Sequence, residues 1–171
     1  YYLKVHKRKS YDGAGALIKN NVRFHKLDKN GNHDPNAFFS DDPAWLGMFY
    51  DEGDNSRWSD LVSLDIVGHE LSHAVVSRSA KLIYKGESGA LNESFADIFG
   101  HNIELTGKGA NWLMGEECFT PGTAGDNLRD MSDPNNSGDA TGTGKCPDTY
   151  DGTYWKDPTD ITFDEGGVHF N

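Results

Sequence analysis

The chain has 171 residues, with 16 basic and 27 acidic side chains and a net charge of −11. This length fits one domain, the composition is too apolar for a disordered chain, and no apolar run is long enough to cross a membrane. The acidity argues against nucleic acid as a partner, since phosphates would repel it, and it suits solubility outside the cell and carboxylate-bound calcium.

Residues 1–60 are mixed and turn-rich. NNVRFHKL (21–28) and WLGMFYD (45–51) carry the β-branched and aromatic content of strands, and KNGNHDPN (29–36) between them is a turn cluster. Residues 61–107 are the regular part. Leu64, Val67, Leu71 and Val75 recur at helical spacing in 61–80. Leu91, Phe95, Ile98 and Ile103 do so in 89–107, where Gly107 supplies a stop. Residues 108–171 are rich in Gly, Asp, Asn, Pro and Thr, and 122–145 reads as a long surface loop. These three regions, 1–60, 61–107 and 108–171, are the expected organisation of an α+β chain.

Cys118 and Cys146 show no CxxC spacing, which disfavours a cysteine zinc site. Two free thiols and a disulfide closing a long loop both remain open, and the disulfide would require an oxidising compartment. His6, His25, His33 and His101 match no ligand spacing and read as surface or locally hydrogen-bonded groups. Trp45, Trp58, Trp112 and Trp155 read as packing residues.

The first predicted helix contains HELSH, residues 69–73. Four residues apart, His69 and His73 lie within ~40° of each other on one helix face and can bind the same metal ion. Glu70 lies ~100° from His69, where it can reach a water beside the metal without being a ligand. Chance predicts roughly 0.01 H-E-x-x-H matches in a chain of this composition and length. Catalytic zinc needs a third protein ligand, and Glu93, twenty residues after His73 on the second helix, can supply it. Asp97, one turn later, can accept the free ring N–H of one zinc-bound histidine, and Asn92 can serve the other.

HELSH, KLIY (81–84) and NESFAD (92–97) resemble the thermolysin-like metallopeptidases, the secreted gluzincins. The resemblance runs on through WLMGEE (112–117), FTPG (119–122), LRDMSDP (128–134) and GGVHFN (166–171), with SYDG (10–13) and NAFF (36–39) upstream. It covers nearly the whole chain. It implies His69, His73 and Glu93 as ligands of one zinc, with Glu70 as general base. It implies Tyr84 and His169 as stabilisers of the oxyanion, His169 being oriented by Asp164. Asn36 and the Ala37 backbone would hold an extended substrate. Arg129 would bind a substrate carbonyl and order the site, and Ile66 and Leu128 would line an apolar pocket for the residue after the scissile bond.

The resemblance also implies one calcium, surrounded by Asp65, Glu104, Asn111, the Leu113 carbonyl and Glu116. A further site at FTPGTAGD would use backbone carbonyls with Thr120, Thr123 and Asp126. The implied fold is a thermolysin-like zincin core: a strand-bearing N-terminal part, two active-site helices and a calcium-supported loop region, with the C-terminal helical domain largely absent. The implied function is a secreted zinc endopeptidase acting on peptides or proteins, matured from a form with an inhibitory propeptide, with the remaining C-terminal segment as a separate chain. Two other classes compete with it: an inactive metal-binding fragment, and a calcium-stabilised binding module.

Overall fold

The computed structural model describes residues 1–109, 111–138 and 144–171. A short helix α1 (Tyr2–His6) precedes strands β1 (Asn20–Phe24), β2 (Ala37–Ser40) and β3 (Gly47–Asp51). Two long helices follow, α2 (Leu64–Ser77) and α3 (Gly86–Gly107). Beyond them lie a two-residue pair, β4 (Leu113–Met114) and β5 (Arg129–Asp130), a 3-10 turn at Pro134–Asn136 and a last helical turn at Asp164–Gly167.

Both expected helices form, with α2 shorter than its apolar pattern and α3 beginning three residues earlier. The two expected strands appear as β1 and β3, which pair in parallel with a register shift between Val22 and Phe24. The expected loop 122–145 contains β5 and the 3-10 turn and is otherwise irregular over its described residues. α1 and β2 were not expected from periodicity. α1 is five residues long and forms because Tyr2 is buried, its hydroxyl hydrogen-bonded to Ser72 of α2 at 2.7 Å. β2 pairs antiparallel with β3, Ala37 opposite Tyr50 and Ser40 opposite Gly47. The sheet order is β1-β3-β2, so β2 is an edge strand.

β3 is buried along its whole length, and Met48 and Tyr50 join Tyr2, Tyr11, Ile66, Ala74 and Val75 in one core cluster. α2 lies between this sheet and α3. The α2–α3 crossing depends on two glycines. A β-carbon on Gly68 would sit 2.9 Å from the Gly100 Cα, and one on Gly100 would sit 2.6 Å from the Asp65 carbonyl oxygen. With no side chain at either position the helix backbones touch, which brings the 69–73 turn of α2 against the 92–97 turn of α3.

Two local expectations change, and the cysteine pair, left open by the sequence, takes the form of two thiols. Cys118 and Cys146 are both free thiols: Cys118 is buried against the Asp60 carbonyl, and Cys146 lies against the Gly144 carbonyl. His101 is not a surface group; it is buried on α3, its Nδ1 has no hydrogen-bond partner, and its ring stacks on Trp112 at 5.0 Å. Trp45 and Trp112 are largely exposed rather than packed into the core.

Alanine in place of a helix-interior glycine normally stabilises by about 1 kcal/mol. At Gly100 the overlap should dominate, and Gly100→Ala should lower stability by about 1–3 kcal/mol. The chemical denaturation midpoint reads this, and a midpoint at or above the parent's would show that the crossing tolerates the methyl group.

Candidate active site

α2 presents His69, Glu70 and His73, and α3 presents Asn92, Glu93 and Asp97 on the facing side, all of them largely buried. The two histidine Nε2 atoms are 2.9 Å apart. Glu93 completes the triangle, with Oε2 at 3.3 Å from His69 Nε2 and Oε1 at 3.2 Å from His73 Nε2. Tetrahedral zinc with ligands at ~2.0–2.1 Å requires edges of roughly 3.3 Å, so these three groups fit that ion. Each ring is held through its other nitrogen. His69 Nδ1 bonds Asp97 Oδ1 at 2.8 Å and His73 Nδ1 bonds Asn92 Oδ1 at 2.9 Å. Both carboxamide and carboxylate oxygens accept, so both Nδ1 atoms carry a proton and both Nε2 atoms are turned towards Glu93.

Arg129, at the start of β5, grips Asp97 with two parallel bonds, Nε to Oδ2 at 2.5 Å and Nη2 to Oδ1 at 2.7 Å. Burial alone would raise the Asp97 carboxyl, but Arg129 and His69 outweigh it and hold its pKa at about 2. Burial likewise disfavours a charged imidazole at His69, yet Glu93 and Asp97 push its pKa up to about 10. Burial pushes the Glu70 carboxyl up, and its Oε2 is buried with no hydrogen-bond partner.

A second group closes the site from the far end of the chain. The Tyr84 hydroxyl donates to Glu93 Oε1 and lies 3.0 Å from His169 Nε2. His169 is fixed by Asp164, which accepts from Nδ1 at 2.7 Å and from the backbone N–H at 2.8 Å. Burial opposes charge on His169, but the Asp164 bond and Glu93 prevail and raise its pKa. Asp164 reaches this position through a left-handed backbone, φ 45° at Asp164 and 53° at Glu165, followed by Gly166 and Gly167.

These groups line a cleft of about 980 Å³ between α2 and the outer edge of β2. Asn36, Ala37, Ile66, Leu128 and Arg129 line it too, as does Leu61, which the sequence reading did not single out. Arg129 meets Asp97, the support of His69.

A separate acidic cluster lies at the other end of the α2–α3 crossing. Carboxylate oxygens of Asp65, Glu104 and Glu116 come within 4.8 Å of one another. Burial, then Asp65 and Glu116, raises the Glu104 carboxyl, and Glu116 Oε2 is buried without a partner. Lys108 Nζ lies 3.4 Å from Glu104, but its closer partner is Glu117 at 2.5 Å, outside the cluster. Asn111 lies beside the cluster, but its Nδ2 donates to Glu116 and its Oδ1 accepts from the Leu113 N–H at 3.0 Å. Its oxygen therefore points along the chain. Oxygen-rich and short of cations, the cluster fits calcium. The FTPGTAGD segment has the stronger orphan signal: Thr120 Oγ1 and both carboxylate oxygens of Asp126 are buried without partners.

Residues 1–77 match the family described as thermolysin metallopeptidase, catalytic domain, and residues 80–171 match thermolysin metallopeptidase, alpha-helical domain. The expectation that the helical domain is largely absent is thereby corrected: α3, with Glu93 and Asp97, falls inside the helical-domain match. The chain is 42% identical over 174 residues to a bacillolysin of Brevibacillus brevis, and 42% identical over 175 residues to a thermolysin of Alicyclobacillus acidocaldarius. All of the chain is covered in both cases, and it spans 28% of the length of each relative. Among solved structures, the precursor of protealysin, a metalloproteinase from Serratia proteamaculans, superposes with a TM-score of 0.79 at 30% identity, covering 99% of this chain and 51% of that one.

The His69 proton has a consequence for stability. Its pKa is raised from 6.5 to about 10, so its contribution is complete below pH 6.5 and is lost as pH rises towards 10. The metal-free chain should lose stability across that window, and the zinc-loaded chain should lose less, because zinc replaces the proton. Thermal denaturation at pH 6, 8 and 10 with and without zinc measures this, and two parallel pH curves would refute it.

Proposed function

The chain belongs to the thermolysin metallopeptidase family, and we propose that it hydrolyses internal peptide bonds with zinc held by His69, His73 and Glu93. The observation that carries this reading is the triangle of Nε2, Nε2 and carboxylate oxygens, each ring locked by a partner on its other nitrogen. Zinc at that position would supply a Lewis acid and make water more acidic.

The chain's own residues do the rest. Glu70 takes a proton from the attacking water through its unpartnered Oε2 and returns it to the leaving amine. Burial has raised its pKa, which suits a group that must accept and then release a proton. Tyr84 and a protonated His169 donate towards the oxygen where negative charge develops, and Asp164 orients the histidine. No covalent enzyme intermediate is needed. β2 is an edge strand, and an extended peptide can add alongside it at Asn36 and Ala37. Leu61, Ile66 and Leu128 form an apolar wall that accepts a bulky apolar residue after the scissile bond.

Calcium at Asp65, Glu104 and Glu116, and a second ion at Thr120 and Asp126, would neutralise buried carboxylates and fix the loop region. Such oxygen sites and the net charge of −11 suit an extracellular protein. Secretion and maturation from a precursor belong to the same reading.

Glu70→Gln should cut peptide hydrolysis by about 10²–10⁴-fold while zinc stays at one per chain. A quenched peptide assay with metal analysis tests this, and cleavage at the parent rate would remove Glu70 from the general-base role. Calcium should raise the melting temperature in a concentration-dependent way. Glu116→Gln should weaken that response, and an unchanged calcium titration would exclude the cluster as the site.

A further inference from the structure

One end of the cleft carries charge that the proposed chemistry does not use. Residues 71–86 contain no acidic side chain but hold Arg78, Lys81 and Lys85, within a chain of net charge −11. Asp41, Ser77, Arg78, Lys81 and Leu82 line the same cleft as His69, Glu70 and His73. Arg78 is committed: its guanidinium pairs with Asp41, just past β2, and the same carboxylate accepts the Ser77 hydroxyl at 2.5 Å. Asp41 is thereby neutralised. Among the described residues, Lys81 has no carboxylate partner of its own.

The Lys81 backbone is unusual as well. Its φ is 53°, a left-handed conformation that glycine adopts freely and a β-carbon disfavours, and its N–H closes the end of α2 by donating to the Val76 carbonyl at 2.8 Å. The chain therefore keeps a long cationic side chain at a position where glycine would be easier.

Helix α2 serves as a ruler along the cleft. Ile66 of the apolar wall, the two histidines and Arg78 follow in that order along one axis. At ~1.5 Å per residue, Arg78 lies roughly 10 Å beyond the midpoint of the histidines. An extended peptide advances ~3.3 Å per residue, so the cationic end lies about three residues from the scissile bond, opposite the apolar wall.

We propose that Lys81 is a specificity-determining residue that selects substrates with an Asp or Glu two or three residues before the scissile bond. The Arg78–Asp41 pair forms the floor of that subsite. The direction of the peptide rests on the reading above, in which the apolar wall takes the residue after the scissile bond.

The test uses three quenched peptides that differ only in Glu, Gln or Lys at the third position before the bond, with a matching set for the second. Hydrolysis by the full chain is followed at low and high salt. In parallel, equilibrium binding of the same peptides to the zinc-loaded Glu70→Gln chain is read by fluorescence anisotropy. At one of the two positions kcat/KM should rank Glu above Gln above Lys, each step about fivefold, the size of an exposed ion pair, and the ranking should shrink in high salt. Lys81→Gln should flatten the ranking and Lys81→Glu should reverse it.

Equal hydrolysis of all three peptides at both positions would overturn the subsite and leave the peptidase reading intact. A Glu preference in binding with no hydrolysis of any peptide would support the subsite and count against the peptidase. Equal affinities, or no binding of any peptide, would overturn the subsite whatever the hydrolysis shows.

Discussion

The contact of α2 with α3 at Gly68 and Gly100 is the constraint on which the site depends. His69, His73 and Glu93 meet across the two helices with edges near 3 Å. Backbone contact closes the gap between the helices one turn from the ligands, at the Asp65 carbonyl and the His69 N–H. The residues that face each other are then fixed by helical periodicity alone: His69 opposite Asp97, His73 opposite Asn92, and Glu93 between the two rings.

The charges around that contact are organised in pairs. Burying Asp97 is costly for an isolated carboxylate, and the bidentate Arg129 bond supplies the compensation. Asp97 can then remain ionised and orient His69. Asp164 does the same for His169 from a different part of the chain. Two carboxylate–histidine pairs therefore bracket the cleft. Glu70 lies between them with a buried, unpartnered oxygen, open to exchange a proton with water or substrate.

Much of this was legible in the sequence because it is local. The His69–His73 spacing lies on one helix, and Asn92, Glu93 and Asp97 lie within two turns of another, so periodicity places all of them. Tyr84, His169 and Asp164 were reached only through family resemblance, because no local rule connects residues 85 positions apart. β2 and α1 were invisible to periodicity: β2 has four half-buried residues without alternation, and α1 exists because Tyr2 finds Ser72. Gly68 and Gly100 carry a recognisable signal, a glycine inside each of two apolar-patterned helices, but it acquires meaning only once the two helices are known to cross. The cysteine pair illustrates the opposite limit. Two cysteines in one loop-rich region fit a bond equally well on paper, yet Cys118 is turned inward beneath α2 and Cys146 lies beside Arg129 and His169.

Asp65 links the two ends of the helix crossing. Its side chain accepts the Ile66 N–H in the first turn of α2, where the helix dipole favours an anion, and it also accepts the Gly115 N–H from the loop beyond α3. Its carbonyl is the atom that a β-carbon on Gly100 would strike. The same carboxylate faces Glu104 and Glu116. A cation in that cluster would therefore act on the residue that sets how closely α3 approaches α2, one turn before His69. The acidic cluster and His69 are thus joined by backbone contact at the crossing rather than by any shared side chain.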